Sequence, residues 1–265
     1  TGLLLMTKET VQKKNNKISL KKTKNIELSI QFSLDGFSFC VLDSKTQKDI
    51  YFTQYQFEET LNSLEDLLKR IETIFKNDAN LQIEYAAVSV IHQSNLSTIV
   101  PSKYFDKKSL ANYLNFNIKT LKTDFITFDN INTIDAKNVY VPYVNINNYL
   151  FQNFGEFEYQ HHSSILLEKL LKIESSTEKK MYVNVSKSSF DIVVLENRKL
   201  IFSNSFSYTT KEDFIYYILF TAEQIQLNTE EFKLYFMGEI EIESEIYKIA
   251  YTYIKNISLL KSENS

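Results

Sequence analysis

Glycine and proline are scarce in this chain: its 265 residues include 4 glycines and 2 prolines. An average globular protein contains about 7% glycine. Because a backbone that wraps closely around a phosphate needs residues without a Cβ atom, this scarcity argues against a glycine-rich nucleotide-binding loop. Heavy use of lysine, asparagine, isoleucine, tyrosine and phenylalanine offers a second explanation, a general bias in residue usage. The two explanations are compatible.

Cysteine and long apolar runs are also nearly absent. Cys40 is the single cysteine, so no disulfide can form within the chain, which fits a reducing compartment. Its apolar neighbours favour a structural thiol over a nucleophile. The run Leu3–Met6 is shorter than the apolar core of a signal peptide, and no stretch reaches the roughly 20 apolar residues of a membrane span. We therefore expect a cytoplasmic protein without a membrane span.

The charge of the chain is close to balanced, with a formal net charge of -3. This value gives no general attraction to nucleic acid or anionic lipid. Seven lysines nevertheless fall within residues 7–25, and we expect residues 1–25 to form a basic flexible arm. RNA association through this arm is one hypothesis. A solvated tail is favoured, because no arginine or aromatic residue is interleaved with the lysines.

One order of elements is predicted twice: strand, turn, strand, strand, amphipathic helix, buried strand. The first copy is expected at 27–34, 37–42, 50–57, 61–75 and 83–91. The second is expected at 181–185, 190–195, 199–206, 214–225 and 232–237, with Thr209 and Glu212 in capping-box spacing before its helix. The strands of the first copy alternate imperfectly between apolar and polar residues, which favours a sheet covered on both faces.

The regions around the two copies suggest a domain plan. Residues 93–143 have no counterpart in the second copy and are predicted to be an insertion. A helix is expected at 163–173, and the polar run 174–180 is the best boundary. The plan is therefore an arm (1–25), a first lobe (26–173, insertion about 93–143) and a second lobe (174–265).

This order of strands and helix is that of a ribonuclease H-like lobe. Two such lobes form the α/β architecture of the actin-like ATPases, here with an inserted subdomain in the first lobe. Several segments resemble the DUF3822 family of Bacteroidetes proteins: 28–32, Val100-Pro101, 139–142, and 206–220 followed by Gly238. The resemblance covers roughly residues 26–255. It implies an actin-like ATPase fold and supplies no mechanism, because the family is uncharacterised.

Working actin-like ATPases hold the phosphates of ATP between two hairpins, one in each lobe, that carry aspartate and glycine. Carboxylates position magnesium there, and backbone amides of residues without a Cβ atom bind the phosphates. The matching first turn keeps Asp35 and Gly36, although Asp-Gly is also a common signal for a tight hairpin. The second turn, with Ser186 and Ser188, has neither residue, and the adenosine-side glycine pair is reduced to Gly238. We interpret these five residues as a vestigial nucleotide site, so ATP and magnesium are disfavoured as cofactors.

Two other chemistries have weaker support. A ribonuclease H-like nuclease needs acidic residues on its first strand, and neither 28–32 nor 182–185 contains one. His161 and His162 form the only adjacent histidine pair, and His92 is distant in sequence. The sequence shows no further ligands at metal-site spacing, so we interpret the pair as a helix-entry pair that is hydrogen-bonded to the backbone.

The function favoured by this sequence is therefore a non-catalytic actin-like protein that acts as a protein-interaction or regulatory module with an unknown protein partner. A nucleotide-binding ATPase or kinase with an unorthodox cleft around Asp35, Ser186, Ser188 and Gly238 is the first alternative. Association with RNA through the lysine arm is the second.

Overall fold

The computed structural model describes residues 10–15, 25–46, 48–116, 118, 120–121, 123–174 and 176–260. The strands are β1 (Thr10–Asn15), β2 (Ile26–Ser33), β3 (Gly36–Asp43), β4 (Asp49–Gln56), β5 (Ala87–His92), β6 (Ser97–Pro101), β7 (Thr127–Ile131), β8 (Ala136–Tyr140), β9 (Glu158–His161), β10 (Lys180–Val185), β11 (Ser189–Glu196), β12 (Lys199–Ser207), β13 (Lys233–Gly238) and β14 (Asn256–Leu259). The α-helices are α1 (Leu64–Asn77), α2 (Leu110–Asn115), α3 (Val144–Phe154), α4 (His162–Ile173), α5 (Lys211–Gln224) and α6 (Glu245–Tyr253). None of the helices in these ranges is long and apolar enough to cross a membrane.

The two larger sheets repeat one topology. The six-stranded sheet has the order β1-β4-β3-β2-β5-β9, and the five-stranded sheet has the order β12-β11-β10-β13-β14. In the six-stranded sheet β4, β3 and β2 are antiparallel neighbours, and β5 and β9 run parallel to β2. In the five-stranded sheet β12, β11 and β10 are antiparallel neighbours, and β13 and β14 run parallel to β10. The predicted ribonuclease H-like order is therefore confirmed in both copies. A third sheet, β6-β8-β7, comes from the predicted insertion.

The chain divides into two compact units. Unit 1 contains 1–94, 120–127 and 140–162, and unit 2 contains 95–119, 128–139 and 163–265. By this division α4 and the third sheet belong to unit 2, whereas the sequence grouped them with the first lobe. The predicted boundaries of the two lobes stay a prediction.

The sheet of unit 1 has one buried face. Residues of β2 alternate strictly between buried and half-buried, and β3 and β4 follow the same alternation over most of their length. The buried side chains pack under α1 and α3, where Ile71 and Ile146 are fully buried. The expectation of a sheet covered on both faces is wrong for this unit. The expectation was based on the imperfect alternation of apolar and polar residues. That alternation arises because apolar residues such as Cys40 and Leu42 lie on the half-buried face.

The sheet of unit 2 is buried on both faces. Strand β11 is buried from Phe190 to Leu195 without interruption. On one side Ile192 and Val194 belong to a core shared with α5 and α6, and on the other Val193 and Leu195 belong to a core shared with α4. Here a nearly continuous apolar run correctly indicates a strand between two layers.

Helix boundaries follow capping side chains. Ser63 caps α1 by accepting from the Asp66 amide. Helix α5 has a reciprocal capping box between Thr210 and Asp213, which corrects the predicted Thr209–Glu212 pair by one residue. Both frames place a hydroxyl three residues before an acid, so spacing alone could not separate them.

The segment predicted as a flexible arm contains a strand. Residues 10–15 form β1, which pairs antiparallel with β4, from Thr10 opposite Gln56 to Asn15 opposite Tyr51. Backbone hydrogen bonds along the edge of β4 support a strand that apolar periodicity does not predict. Residues 1–9 and 16–24, with most of the lysines, lie outside the described residues.

A buried carboxylate joins the end of α4 to the sheet of unit 2. Glu174, which is 2% exposed, accepts from Lys180 Nζ at 3.1 Å, from the Ser176 amide at 2.6 Å and from the Tyr182 hydroxyl. Burial raises the pKa of this carboxyl, but the hydrogen bonds from Tyr182, Ser176 and Lys180 outweigh burial and hold the pKa below its usual 4.5. The ionised form therefore stabilises this connection.

Candidate functional site

Parallel strands bring several polar residues to one edge of the unit 1 sheet. Strands β2, β5 and β9 run parallel, and ligands of open α/β sheets bind beyond the carboxyl ends of such strands. Asp35 follows β2, His92 ends β5, Ser94 lies just beyond it, and His161 ends β9. This edge is the candidate site of unit 1.

Asp35 is held by hydrogen bonds inside unit 1. Its amide donates to Ser33 Oγ at 3.1 Å, and its carbonyl oxygen accepts from the Phe57 amide at 2.9 Å. Its carboxylate Oδ1 accepts from Thr60 Oγ1 at 2.6 Å. The residue thus connects the β2–β3 turn to the segment after β4. This is the geometry of a turn anchor.

Gly36 is required by a close backbone approach. A Cβ atom on this residue would lie 2.7 Å from the carbonyl oxygen of Tyr55 on β4. Side chains essentially never approach a backbone oxygen so closely, so the neighbouring strand explains the glycine. Asp35 and Gly36 are therefore adjacent at the predicted turn, and both have structural partners.

Two histidines that are far apart in sequence lie side by side at this edge. His92 is the cross-strand partner of His161, and both are fully buried. The Tyr143 amide donates to His92 Nδ1 at 3.2 Å, so the ring proton is on Nε2, which lies 2.9 Å from Asn147 Oδ1. The Ser94 hydroxyl lies 3.2 Å from His161 Nε2. Sequence reasoning missed this pairing, although His92 directly follows the strand expected at 83–91.

His92 and His161 are both uncharged near neutral pH. Burial lowers the pKa of His92 to about 4, and burial with the neighbouring His162 and His92 lowers that of His161 well below its usual value. Burial also raises the pKa of Tyr143 to about 12, and the Asp35 carboxylate adds to this rise. Neither imidazole is suited to exchange protons at pH 7. Within the described residues, no three or more His, Cys, Asp or Glu side chains form a group that could hold a metal ion.

The second predicted turn lies in unit 2 and is closed by one tyrosine. The Ser186 amide donates to the Ser189 carbonyl oxygen at 2.9 Å. The Tyr208 hydroxyl donates to the Ser186 carbonyl oxygen at 2.8 Å, and the Tyr208 amide donates to the Ser188 carbonyl oxygen at 3.0 Å. The turn is therefore joined at both serines to the end of β12.

Gly238 lies beside the same turn, at the end of β13. It pairs with Val185 and has a positive φ of 83°. A Cβ atom here would lie 2.3 Å from the Val185 carbonyl oxygen and 2.9 Å from Asn184 Oδ1. The structure thus brings Ser186, Ser188 and Gly238 together in unit 2, while Asp35 and Gly36 lie in unit 1.

Comparison with protein families identifies the chain. A model for a family of proteins of unknown function, DUF3822, matches residues 15–257. The chain belongs to the DUF3822 family. A search of curated proteins finds no match to its sequence.

Solved structures show the fold of this DUF3822 chain. A Bacteroides thetaiotaomicron protein described as having an actin-like ATPase fold and unknown function is similar, with a TM-score of 0.83 and 22% identity over 92% of this chain and 94% of the other. A chain of the PilM-PilN type IV pilus biogenesis complex is similar with a TM-score of 0.56 and 10% identity, over 88% of each chain. The predicted actin-like ATPase fold is confirmed.

Proposed function

We propose that this DUF3822 protein is a non-catalytic actin-like-fold protein that acts as a protein-interaction or regulatory module. The observation that carries the proposal is the environment of Asp35. The resemblance to actin-like ATPases matches this residue to a magnesium-orienting carboxylate, yet its amide, carbonyl and carboxylate hold Ser33, Phe57 and Thr60. An aspartate engaged in this way serves the turn.

The turn of unit 2 supports the same conclusion. It contains neither an aspartate nor a glycine, and the carbonyl oxygens of Ser186 and Ser188 are bound by Tyr208. Tight phosphate binding needs a concave row of free backbone amides. The Ser186 amide is already bonded to Ser189, so this turn is poorly suited to such a cradle.

A structural neighbour supports the interaction part of the proposal. The PilM-PilN complex of type IV pilus biogenesis shows that a chain of similar fold occurs in complex with another protein. We extend only that principle to this chain, and the identity of its partner is open to experiment. The cytoplasmic location expected from the sequence stays a prediction.

The test is hydrolysis of ATP with magnesium by the purified full chain and by an Asp35→Asn variant. Asparagine keeps an oxygen for the Thr60 hydroxyl and removes the charge that magnesium would need. We expect no difference between the two proteins, with phosphate release at the level of a buffer control. Turnover by the wild type well above that of Asp35→Asn would overturn the proposal in favour of the ATPase alternative.

A further inference from the structure

A groove of about 580 Å³ lies in unit 2 between two strands that each end a sheet. Strand β6 is the outer strand of the three-stranded sheet, and β12 is the outer strand of the five-stranded sheet. The groove is lined by residues within 98–101, 133–136 and 198–203. In the described part of the chain, neither β6 nor β12 pairs with a second strand along this side.

An apolar side chain is exposed at the bulge of β12. Val194 pairs with Phe202, and the next residue, Leu195, pairs with Leu200. Ile201, which lies between Leu200 and Phe202, is therefore the extra residue of a β-bulge. Ile201 lines the groove and is 38% exposed. Bulges re-aim side chains at sheet edges and are common beside functional sites.

Apolar and polar side chains share the rest of the lining, which has a cationic end. Ile99, Ile134 and Phe202 contribute apolar surface. The charged side chains among the lining residues are Arg198 and Lys199, and both are exposed. Arg198 Nε donates to the Glu174 carbonyl oxygen at 3.2 Å, which fixes one side of the guanidinium. An occupant of complementary charge therefore has an acidic group at this end.

We propose that the groove binds an extended segment of a partner protein, which adds as a strand along β12 and places an acidic side chain against Arg198 and Lys199. Edge strands offer a row of backbone donors and acceptors to such a peptide, and adjacent pockets select its alternate side chains. Strand β6 is the weaker template, because Pro101 has no amide hydrogen to donate. A groove of this volume has the size of a typical ligand pocket, about 300–1,000 Å³. This inference rests on the proposed interaction function and adds its site and the chemistry of its partner.

The test uses random heptapeptides displayed on phage and selected on the immobilised full chain. Enriched peptides are then synthesised with a fluorescent label, and their affinities are measured by anisotropy. We expect enriched sequences to combine an acidic residue with alternating apolar residues. We also expect Ile201→Lys and Lys199→Glu each to weaken binding by about tenfold or more, which is about 1.4 kcal/mol.

Phe220→Lys is the matched control, since Phe220 is an exposed apolar residue of α5 in the same unit and does not line the groove. It should leave affinity unchanged. Lys199→Glu changes an exposed side chain, so it tests the groove even if Ile201→Lys unfolds the protein. A Lys199→Glu chain should in turn prefer peptides in which lysine replaces the acidic residue.

The proposal is overturned if selection enriches no peptides, if enriched peptides lack an acidic residue, or if they bind the Lys199→Glu chain as tightly as the wild type. Each of these results refutes the groove but leaves the proposed non-catalytic function standing, because that function is overturned separately by wild-type ATP turnover well above that of Asp35→Asn.

Discussion

Gly238 gives the sharpest test of whether a candidate site residue serves the fold or a ligand. In Gly238→Ala the new Cβ atom would lie 2.3 Å from the Val185 carbonyl oxygen, and the φ of 83° would be strained. A non-glycine residue held at such a positive φ costs about 1–3 kcal/mol. Relief of the contact requires the ends of β10 and β13 to move, which costs about 1–3 kcal/mol by analogy with an overpacked core. We expect a loss of about 2–6 kcal/mol in the free energy of unfolding.

Gly155→Ala is the control for this measurement. Gly155 also has a positive φ, of 74°, but its Cβ would meet no atom within 4 Å. Strain alone should cost about 1–3 kcal/mol. Urea unfolding followed by circular dichroism provides both values under the same conditions. If Gly238→Ala costs no more than Gly155→Ala, the reasoning that the β10 backbone requires this glycine is refuted.

Two further predictions concern unit 2. Glu174→Gln removes a buried charge that Tyr182 and Lys180 contact, so we expect a loss of about 3 kcal/mol or more at pH 7 in urea unfolding. The lowered pKa of Glu174 stabilises the fold above the unfolded value of 4.5, so the difference from wild type should shrink as pH falls below 4.5. The exposed control Glu178→Gln should cost less than about 1 kcal/mol, and an equal loss in both variants would contradict the argument. Tyr208→Phe removes one hydrogen bond to the β10–β11 turn and should cost about 1 kcal/mol in the same assay, whereas an unchanged midpoint would show that the hydroxyl does not hold the turn.

The order of elements could be predicted because each element carries a local signal. The turn at Asp35-Gly36 and the apolar stripe of α1 are of this kind, and their repetition predicted the topology of both sheets. Whether helices cover one face or both faces of each sheet could not be predicted equally well. Among the described residues, helices pack against one face of the unit 1 sheet and against both faces of the unit 2 sheet, and imperfect alternation in the first copy did not reveal this difference.

The candidate site depended more on contacts between distant residues. His92 and His161 are neighbours only because β5 and β9 pair in parallel with that register, which hydrophobic periodicity cannot specify. The structural roles of Gly36 and Gly238 likewise arise from Tyr55 and Val185 on adjacent strands. A glycine that lines a ligand and a glycine that faces another strand look the same in one sequence.

A nucleotide panel followed by thermal shift tests the central claim most directly. A ligand at 100 times its dissociation constant stabilises a protein by about 2.7 kcal/mol, which is readily measured. With ATP, ADP and GTP, each with and without magnesium, we predict that the unfolding temperature of the full chain stays unchanged. A saturable rise that needs magnesium and is lost in Asp35→Asn would contradict the account.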